Sequence, residues 1–354
     1  MSAPTATWLE RLWYRPRPSG PLAVFVPLLR LASFAFAQLV ALREWAFRVR
    51  LRRPTRVAAH VISVGNLNVG GAGKTPVVIA LAERLVAAGV RVAVLSRGYG
   101  GRGREAVVSD GTQLKLGFYD AGDEPVLIAR RVPKAVVLVG PSRVRLAQRA
   151  IAEHGCTTLL LDDGFQHRQL ARDEDIVVLG GAAPLGNEAL VPLGPLREPA
   201  KALRRGSVVW LSNVPEGEVL LHEMPLRQIR SRTRVIDVLD WLGRESFGLD
   251  ALRGQRVFLL AGLARPSGFV RTLEELGAEV VGSALYRDHH PYSLGALRAV
   301  AARAAGLRAT CIATTEKDAV RMEKTGSLAV PVRVVRVDLD IYEGEYVLNE
   351  ILGL

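Results

Sequence analysis

Residues 60–76 read HVISVGNLNVGGAGKTP, an apolar stretch followed by a glycine-rich turn and a lysine–threonine pair. The apolar part, His60–Val64, is typical of a buried strand, and Pro76–Ala88 has helical periodicity. A glycine-rich loop between a strand and a helix lets backbone N–H groups surround phosphate oxygens, and the helix N-terminus faces the same charge. The stretch therefore predicts a phosphate-binding loop of the kind that binds a nucleoside triphosphate.

The loop ends in Gly73-Lys74-Thr75, where the lysine would reach the β- and γ-phosphates and the threonine hydroxyl would bind Mg²⁺. Asn68 stands where such loops usually begin with glycine, and Gly70-Gly71 can compensate for it. A dinucleotide-binding loop is the poorer interpretation, because this loop lacks the GxGxxG spacing and contains a lysine. We assign nucleotide binding to seven consecutive residues: Gly70, Gly71, Ala72, Gly73, Lys74, Thr75 and Pro76.

The rest of the chain alternates apolar strands with helices. Val90–Leu95 is the strand expected after the first helix, and this strand–loop–helix–strand order is typical of a parallel sheet. The alternation starts again at Val257–Leu260, so the sequence predicts an α/β fold in two units. We expect an N-terminal membrane-associated helical segment (1–56), a P-loop domain (57–224), a linker (225–240) and a smaller C-terminal α/β domain with a return linker (241–354).

Charge and cysteine content limit the partners of the chain. Its 354 residues carry a formal net charge of +12, which implies an anionic partner: nucleic acid, anionic lipid or a phosphorylated substrate. We rank nucleic acid lowest, because the basic residues cluster beside an apolar segment without a nucleic-acid-binding motif. Cys156 and Cys311 are far apart and lack metal-ligand spacing, so we expect no disulfide framework and a reducing cytoplasmic setting. The sequence indicates no obligate protein partner.

An apolar segment precedes the phosphate loop. Residues 21–42 read PLAVFVPLLRLASFAFAQLVAL, long enough to span a bilayer as a helix of about 20 residues. Pro27 and the central Arg30 argue against a full span, since a charge at the bilayer centre costs roughly 2.5–3.5 kcal/mol. We favour a helix that lies in the membrane interface, and a helix buried against the soluble domain is the alternative. Interface-seeking aromatic and arginine residues flank it: Trp8, Trp13, Tyr14, Trp45, Arg43, Arg48, Arg50, Arg52, Arg53 and Arg56.

Two pairs of carboxylates occur at positions suited to phosphate chemistry. The apolar strand Leu159–Leu161 ends in Asp162-Asp163, an arrangement that displays a Mg²⁺-binding carboxylate beside a phosphate loop. Either aspartate can be the main contact, and a solvated turn is the alternative. Asp123-Glu124, between a glycine and a proline, supplies either a base for an acceptor hydroxyl or an N-cap for the next helix.

Further polar side chains follow other strands or the second carboxylate pair. Gln166 and His167 come directly after that pair, either as functional side chains or as part of a surface loop. Asp288-His289 can supply an acid or base, or form a structural surface pair. Lys317, in TTEKD after a strand, either forms a structural ion pair or touches nucleotide or substrate.

Together these segments resemble the tetraacyldisaccharide 4′-kinase family, the lipid A 4′-kinases of Gram-negative bacteria. The matching stretches occur in family order from residue 61 to about residue 321: VISVGNLNVGGAGKTP, LSRGYGGR, AGDEP, LLLDDGFQHR, LVPLGPLREP, the Asp288-His289 pair and TTEKDAVR. The resemblance implies two α/β/α lobes and an N-terminal membrane helix, in a monotopic enzyme on the cytoplasmic face of the bacterial inner membrane. It also implies ATP- and Mg²⁺-dependent phosphorylation of the 4′-hydroxyl of a tetraacyl disaccharide 1-phosphate, a glycolipid, in lipid A biosynthesis.

The resemblance also assigns roles to single residues. Asp123 matches the family's catalytic base, His289 the histidine that works with it, and Lys74 the lysine of the phosphate loop. The neighbouring His290 leaves open which histidine acts. We assign metal binding to Thr75, Glu124, Asp162 and Asp163, and substrate binding to Gln166, His167 and Arg197.

A protein of another class can also carry such a loop. P-loop GTPase or ATPase switches of the SIMIBI type, including metal-insertion and targeting factors, have a similar GGxGKT loop. They would hydrolyse nucleotide without an acceptor lipid. The AGDEP and DDGFQHR segments and the N-terminal apolar segment favour the kinase.

Overall fold

The computed structural model describes residues 12–14, 24–101, 103–215, 227–263, 266–322 and 328–354. The strands in these ranges are β1 (His60–Gly65), β2 (Val92–Ser96), β3 (Ala106–Asp110), β4 (Val136–Val139), β5 (Thr158–Asp162), β6 (Glu174–Gly180), β7 (Val208–Ser212), β8 (Arg227–Asp240), β9 (Arg256–Ala261), β10 (Glu279–Leu285), β11 (Cys311–Thr315) and β12 (Val332–Glu343). They form one mixed sheet with the order β10-β9-β11-β12-β8-β7-β6-β1-β5-β2-β4-β3.

Helices connect many of these strands. The α-helices are α1 (Val26–Arg48), α2 (Lys74–Ala87), α3 (Phe118–Ala121), α4 (Asp123–Arg131), α5 (Arg143–His154), α6 (Pro266–Glu275), α7 (Leu294–Gly306), α8 (Glu316–Val320) and α9 (Glu345–Leu352). Short 3₁₀ helices cover Ala200–Arg205 and Leu249–Leu252.

Alternate residues of the central strand β1 face two separate hydrophobic cores. Ile62 and Val64 belong to a core that includes Leu81 of α2, whereas Val61 belongs to a core that includes Leu146 of α5. A strand buried on both faces forms a continuous apolar run, which is why HVISV could be recognised in the sequence. The predicted α/β fold class is confirmed.

The carboxyl ends of β1, β5 and β2 meet at one edge of the sheet, because these strands are parallel neighbours. In their register Val64 pairs with Asp162, and Leu95 pairs with Leu161. The chain leaves β1 at this edge to form the glycine-rich loop. Ligands of α/β proteins bind outside the carboxyl ends of the strands, so the fold places the predicted site in the expected position.

The segment that we expected to be a linker, residues 225–240, is a strand over the part that the structure describes. β8 begins at Arg227 and pairs in parallel with β7 and antiparallel with β12, so the sheet continues from one predicted unit to the other. β8 is difficult to recognise in the sequence because it is mostly polar and has few buried side chains: Ile229, Ser231, Val238 and Leu239. Residues 225 and 226 lie outside the described ranges, and the division into domains stays a prediction.

Helix α1 packs along the body of the protein on one side. Ser33 and Val40 are buried, and Oγ of Ser33 donates a hydrogen bond to the carbonyl of Leu190 at 2.9 Å. By length and composition alone α1 could cross a membrane, with 23 residues and a mean hydropathy of 1.4. Its other side exposes large apolar residues: Leu28, Leu31, Phe34, Leu39, Leu42 and Trp45. Trp8 and residues 21–23 of the predicted segment lie outside the described ranges.

Candidate functional site

The glycine-rich loop leads directly into α2. Gly73, the residue before this helix, has a φ of +83°, a left-handed conformation that glycine adopts without strain. Lys74 is the first helical residue, two positions earlier than the predicted start. Its Nζ donates a hydrogen bond to Oδ1 of Asn66 at 3.1 Å and lies 3.3 Å from Oδ1 of Asp163. The loop, the helix N-terminus and the lysine are therefore together, as a phosphate-binding loop requires.

Asn68, the departure from the usual loop pattern, lies in an extended pairing instead of the phosphate turn. It forms an antiparallel β-bridge with Leu196, and its side-chain amide donates a hydrogen bond to the carbonyl of Pro184. The side chain is largely buried. A glycine is not needed at this position, because the turn itself is made at Gly70 (φ +118°) and Gly73.

Asp162 is a buried carboxylate with one oxygen unused. Its Oδ2 accepts a hydrogen bond from Oγ of Ser96 at 2.9 Å, and its buried Oδ1 has no hydrogen-bond partner among the described residues. Burial, followed by the negative charges of Glu124 and Asp163, raises the pKa of Asp162 to about 7. A buried oxygen beside other carboxylates is a site that a hard cation such as Mg²⁺ would neutralise. The residues present fit the predicted metal, with the hydroxyl of Thr75 as a further oxygen donor.

Asp163 has different surroundings from its neighbour. It forms ion pairs with Lys74 at 3.3 Å and with Nη1 of Arg197 at 3.0 Å. Burial works to raise the pKa of Asp163, but these two cations outweigh it and hold the pKa below its usual range. Asp163 therefore organises the cations that face the phosphate loop, whereas the neighbouring Asp162 carries the free oxygen.

A carboxylate–histidine pair joins two distant parts of the chain. Asp123 begins α4 after Gly122 and is 1% exposed. Nδ1 of His289, in the segment after β10, lies 2.9 Å from Oδ2 and 3.1 Å from Oδ1 of Asp123. The φ of His289 is +61°, an uncommon conformation for a residue with a side chain, which persists only where the surroundings hold it.

The charges around this pair keep Asp123 ionised. Burial works to raise the pKa of Asp123, but the hydrogen bond to His289 and the charges of Lys317 and Arg321 hold it below its usual range. The hydrogen bond to Asp123 in turn raises the pKa of His289, against the effect of burial. The pair can therefore hold a carboxylate ready to accept a proton in a buried position.

Lys317 and Arg321 supply the positive charge at this point. Nζ of Lys317 lies 3.2 Å from Oε1 of Glu124 and 3.4 Å from Oδ1 of Asp288. Nε of the fully buried Arg321 lies 3.5 Å from Oδ2 of Asp123. Lys317 thus forms ion pairs within the site. Asp123, Asp288 and His289 are close enough to share a cation, but the Lys317 ammonium already lies beside two of them.

The structure distinguishes the two neighbouring histidines. The ring of His290 stacks on Tyr286 with a centroid distance of 4.4 Å, away from the carboxylate. The ring of His289 lies 5.3 Å from that of Tyr99, an exposed residue of the LSRGYGGR segment. His289 is therefore the histidine that this arrangement brings to Asp123.

The sequence family of the chain is the one that these motifs suggested. The model of the family described as LpxK, tetraacyldisaccharide-1-P 4′-kinase, matches residues 25–353. The chain belongs to this family. The match includes α1, the phosphate loop and both members of the Asp123–His289 pair.

Relatives along the whole chain have the same name. A tetraacyldisaccharide 4′-kinase of Anaeromyxobacter dehalogenans (strain 2CP-C) is 47% identical, over 98% of this chain and 94% of the relative. A tetraacyldisaccharide 4′-kinase of Syntrophus aciditrophicus (strain SB) is 41% identical, over 94% of each protein. The resemblance drawn from the sequence motifs is confirmed.

A solved structure has the same architecture. The crystal structure of the "apo" form of LpxK from Aquifex aeolicus in complex with ATP has a TM-score of 0.75 and 26% identity, over 94% of this chain and 98% of that one. This likeness confirms the P-loop kinase fold with an N-terminal apolar helix. It also favours the kinase over the GTPase or ATPase switch.

Two of the three predicted substrate-binding residues of this chain, Gln166 and Arg197, lie beside the phosphate loop. Nε2 of Gln166 donates to the carbonyl of Asn66 at 2.9 Å, and Oε1 of Gln166 lies 3.5 Å from Nη1 of Arg197. Burial, followed by the charges of Arg143 and other arginines, lowers the pKa of His167 to about 4, so this ring is neutral at physiological pH. Their contact with substrate stays a prediction.

Sequence reasoning missed three side chains of the site. Asn66 and Ser96 lie inside recognised motifs, shortly after the predicted strands His60–Val64 and Val90–Leu95, and that position is a usable signal. Arg321 had no such signal, since nothing local shows that an arginine near the end of TTEKDAVR is fully buried. The structure shows why burial is tolerated: Nη2 of Arg321 donates to Oδ1 of Asp318 at 2.7 Å.

Proposed function

We propose that this protein transfers the γ-phosphoryl group of ATP to the 4′-hydroxyl of a tetraacyldisaccharide 1-phosphate, and that Asp123 is the base of the reaction. Membership of the tetraacyldisaccharide-1-P 4′-kinase family supports the activity. The observation that carries the residue assignment is the buried Asp123–His289 pair. The pair adjoins Glu124, whose negative charge helps to raise the pKa of Asp162 beside the phosphate loop.

Asp123 would accept the proton of the sugar hydroxyl as the oxygen attacks phosphorus. Its lowered pKa leaves it ionised at neutral pH, and the hydrogen bond from His289 fixes its orientation. Lys317 and Arg321 balance its charge, so the carboxylate can remain buried without a metal ion of its own. The acceptor hydroxyl must reach Asp123 for this step.

Lys74 and the amides of the glycine loop would stabilise the negative charge on the transferred phosphoryl group. Asp163 and Asn66 hold the lysine side chain in place for this role. Mg²⁺, when bound with ATP, would neutralise phosphate charge. Its candidate ligands are Thr75, Glu124, Asp162 and Asp163.

The acceptor end of the site has polar and cationic groups that suit a phosphorylated sugar. Gln166, His167 and Arg197 are the candidates for contact with it, and an arginine suits a bidentate contact with phosphate. The exposed apolar side of α1 would rest in a membrane, where the acyl chains of the substrate reside. The cytoplasmic face of the bacterial inner membrane supplies ATP, and its anionic lipids suit the net charge of +12.

The decisive assay combines the purified full-length protein, radiolabelled ATP, Mg²⁺ and a tetraacyldisaccharide 1-phosphate in detergent micelles. We expect label in the lipid fraction, and its near-complete loss in Lys74→Ala. Lys115→Ala is the matched control, because Lys115 forms an ion pair with Asp110 at the end of β3. Nucleotide hydrolysis that is independent of the lipid, without labelled lipid, would contradict the proposal and favour the switch class.

A further inference from the structure

The C-terminal end of α1 is held to the protein by a cluster of charged side chains, which we call the helix clamp. It consists of Arg43, Glu44, Arg168, Glu198 and Arg205. Arg43 and Glu44 belong to α1, and the other three come from the loop after β5 and from residues 198–205. The clamp lies at the end of α1 that is nearer in sequence to the phosphate loop.

Glu198 is the centre of the helix clamp. Its side chain is 1% exposed, and both of its oxygens are used: Oε1 lies 2.5 Å from Nη2 of Arg43, and Oε2 lies 2.5 Å from Nη1 of Arg205. A second contact runs in parallel, since Nη1 of Arg168 lies 2.6 Å from Oε2 of Glu44. Glu198 is the closest carboxylate to both guanidinium groups, since Glu44 lies 3.6 Å from Nη2 of Arg43 and 3.5 Å from Nη1 of Arg205. Neutralising Glu198 therefore leaves two cations to share Glu44, and the positions of all three side chains depend on it.

The backbone next to Glu198 is paired with the start of the phosphate loop. The N–H of Val69 donates to the carbonyl of Pro195 at 2.7 Å, and the N–H of Arg197 donates to the carbonyl of Leu67 at 2.7 Å. Residues 195–198 therefore form a short strap along the loop. Glu198 ends this strap and directly follows Arg197, whose N–H is bonded to the loop.

Arg197 and Glu198 are adjacent in the chain, but their side chains contact different parts of the protein. Glu198 holds α1, whereas Nη1 of Arg197 lies 3.0 Å from Oδ2 of Asp163. The other oxygen of Asp163 lies 3.3 Å from Nζ of Lys74. A continuous series of ion pairs, with the peptide bond between Arg197 and Glu198, thus joins α1 to the lysine of the phosphate loop.

We propose that Glu198 is a positioning residue of the nucleotide site: by holding Arg43 of α1 it fixes Arg197, so the seating of the apolar helix and the affinity for ATP are coupled. This inference rests on the proposed function only in assuming that the loop binds ATP. Neither Glu198 nor Arg43 needs to touch nucleotide or glycolipid. The helix is then part of the nucleotide site as well as a membrane anchor.

The test measures the Kd for ATP with Mg²⁺ by calorimetry, on full-length protein in detergent micelles. Glu198→Gln and Arg43→Met should each raise the Kd about tenfold, as coupled neighbouring groups do. Glu198→Gln combined with Arg197→Met should bind ATP no more weakly than Arg197→Met alone. Glu153→Gln and Arg149→Met, which break an exposed pair on α5, are the matched controls and should leave the Kd within about twofold.

A merely structural role of Glu198 predicts another pattern. Lower thermal stability with an unchanged Kd in both Glu198→Gln and Arg43→Met would overturn the proposal, as would full additivity of Glu198→Gln and Arg197→Met. If Glu198→Gln does not fold, Arg43→Met decides, because Arg43 is 33% exposed and the buried Glu198 keeps its ion pair with Arg205 in that variant. Since the readout is ATP binding, a protein that binds ATP but labels no lipid would refute the proposed function and leave this inference intact.

Discussion

The imidazole Nδ1 of His289 lies 2.9 Å from Oδ2 of Asp123, although 166 residues separate the two along the chain. Asp123 opens a helix beside the phosphate loop, and His289 follows a strand near the far end of the sheet. A hydrogen bond between them requires that both parts of the sheet be folded against one another. The base of the proposed reaction is therefore assembled by tertiary structure.

Replacing the proposed base should affect the chemical step and spare nucleotide binding. Asp123→Asn keeps the shape of the side chain but cannot accept the proton, so we expect the single-turnover rate to fall about 10²- to 10⁴-fold. The Kd for ATP should change little, because the side-chain partners of Asp123 among the described residues are His289, Lys317 and Arg321, none of which belongs to the loop. Rapid-quench measurement of labelled lipid gives the rate. Asp250→Asn, in an exposed pair with Arg253, is the control, and an unchanged rate in Asp123→Asn would reject the assignment.

The histidine should set the pH at which the base loses activity. The hydrogen bond from His289 helps to hold the pKa of Asp123 down, so His289→Asn lets burial raise that pKa. The rate falls when Asp123 is protonated, and the acid limb of the pH–rate profile should therefore move to higher pH in the variant. Single-turnover rates from acidic to neutral pH measure this shift.

His290→Asn is the matched control for that profile. His290 stacks on Tyr286, whereas the hydrogen bond to Asp123 comes from His289, so replacement of His290 should leave the acid limb where it is in the wild type. Equal shifts in the two variants would show that the effect is a general loss of histidine charge and not the removal of the hydrogen bond to Asp123.

The parts of the site that could be predicted from the sequence are those with a local pattern. The Gly73-Lys74-Thr75 motif is recognised from the strand before it and the helix after it. Asp162 is recognised because it ends an apolar strand. Asp123 is recognisable because a glycine precedes the Asp123-Glu124 pair and a proline follows it, and in the structure Gly122 has a φ of +86°, which favours glycine. Such signals depend on a few neighbouring residues, and the structure preserves them.

The remainder depends on contacts that no local pattern encodes. The burial of Arg321 follows from its partners, Asp318 and the carbonyl of Gly262, which come from separate segments. The residue pattern left the role of His289 open, and only the resemblance related it to Asp123. β8 is difficult to predict from the sequence for another reason. Its side chains are largely polar and half-exposed, so the alternation of apolar and polar residues that is typical of a strand is weak over 227–240.

Removing the hydroxyl that is hydrogen-bonded to Asp162 should weaken the affinity for Mg²⁺. Oγ of Ser96 donates to Oδ2 of Asp162 and orients the oxygen that we assign to Mg²⁺. Loss of such an outer partner typically costs about 10- to 100-fold in metal affinity, so Ser96→Ala should raise the Mg²⁺ concentration for half-maximal transfer by about that factor. Ser109→Ala removes the hydroxyl of a buried serine on a different strand, β3, and should leave this Mg²⁺ concentration unchanged. The same Mg²⁺ dependence in both variants would argue against Asp162 as a ligand.

The outer side of α1 should determine binding to lipid vesicles. Leu31, Phe34 and Leu42 are 66%, 63% and 60% exposed, so their replacement by Asp leaves no cavity in the protein. Each apolar side chain that leaves the membrane forfeits about 1.5 kcal/mol or more, and the triple variant should partition into anionic vesicles at least about a hundredfold more weakly. Co-sedimentation measures this. The matched control is a triple variant outside α1, made at three other exposed leucines: Leu114→Asp, Leu242→Asp and Leu249→Asp. Equal sedimentation of the two triple variants would rule out α1 as the anchor.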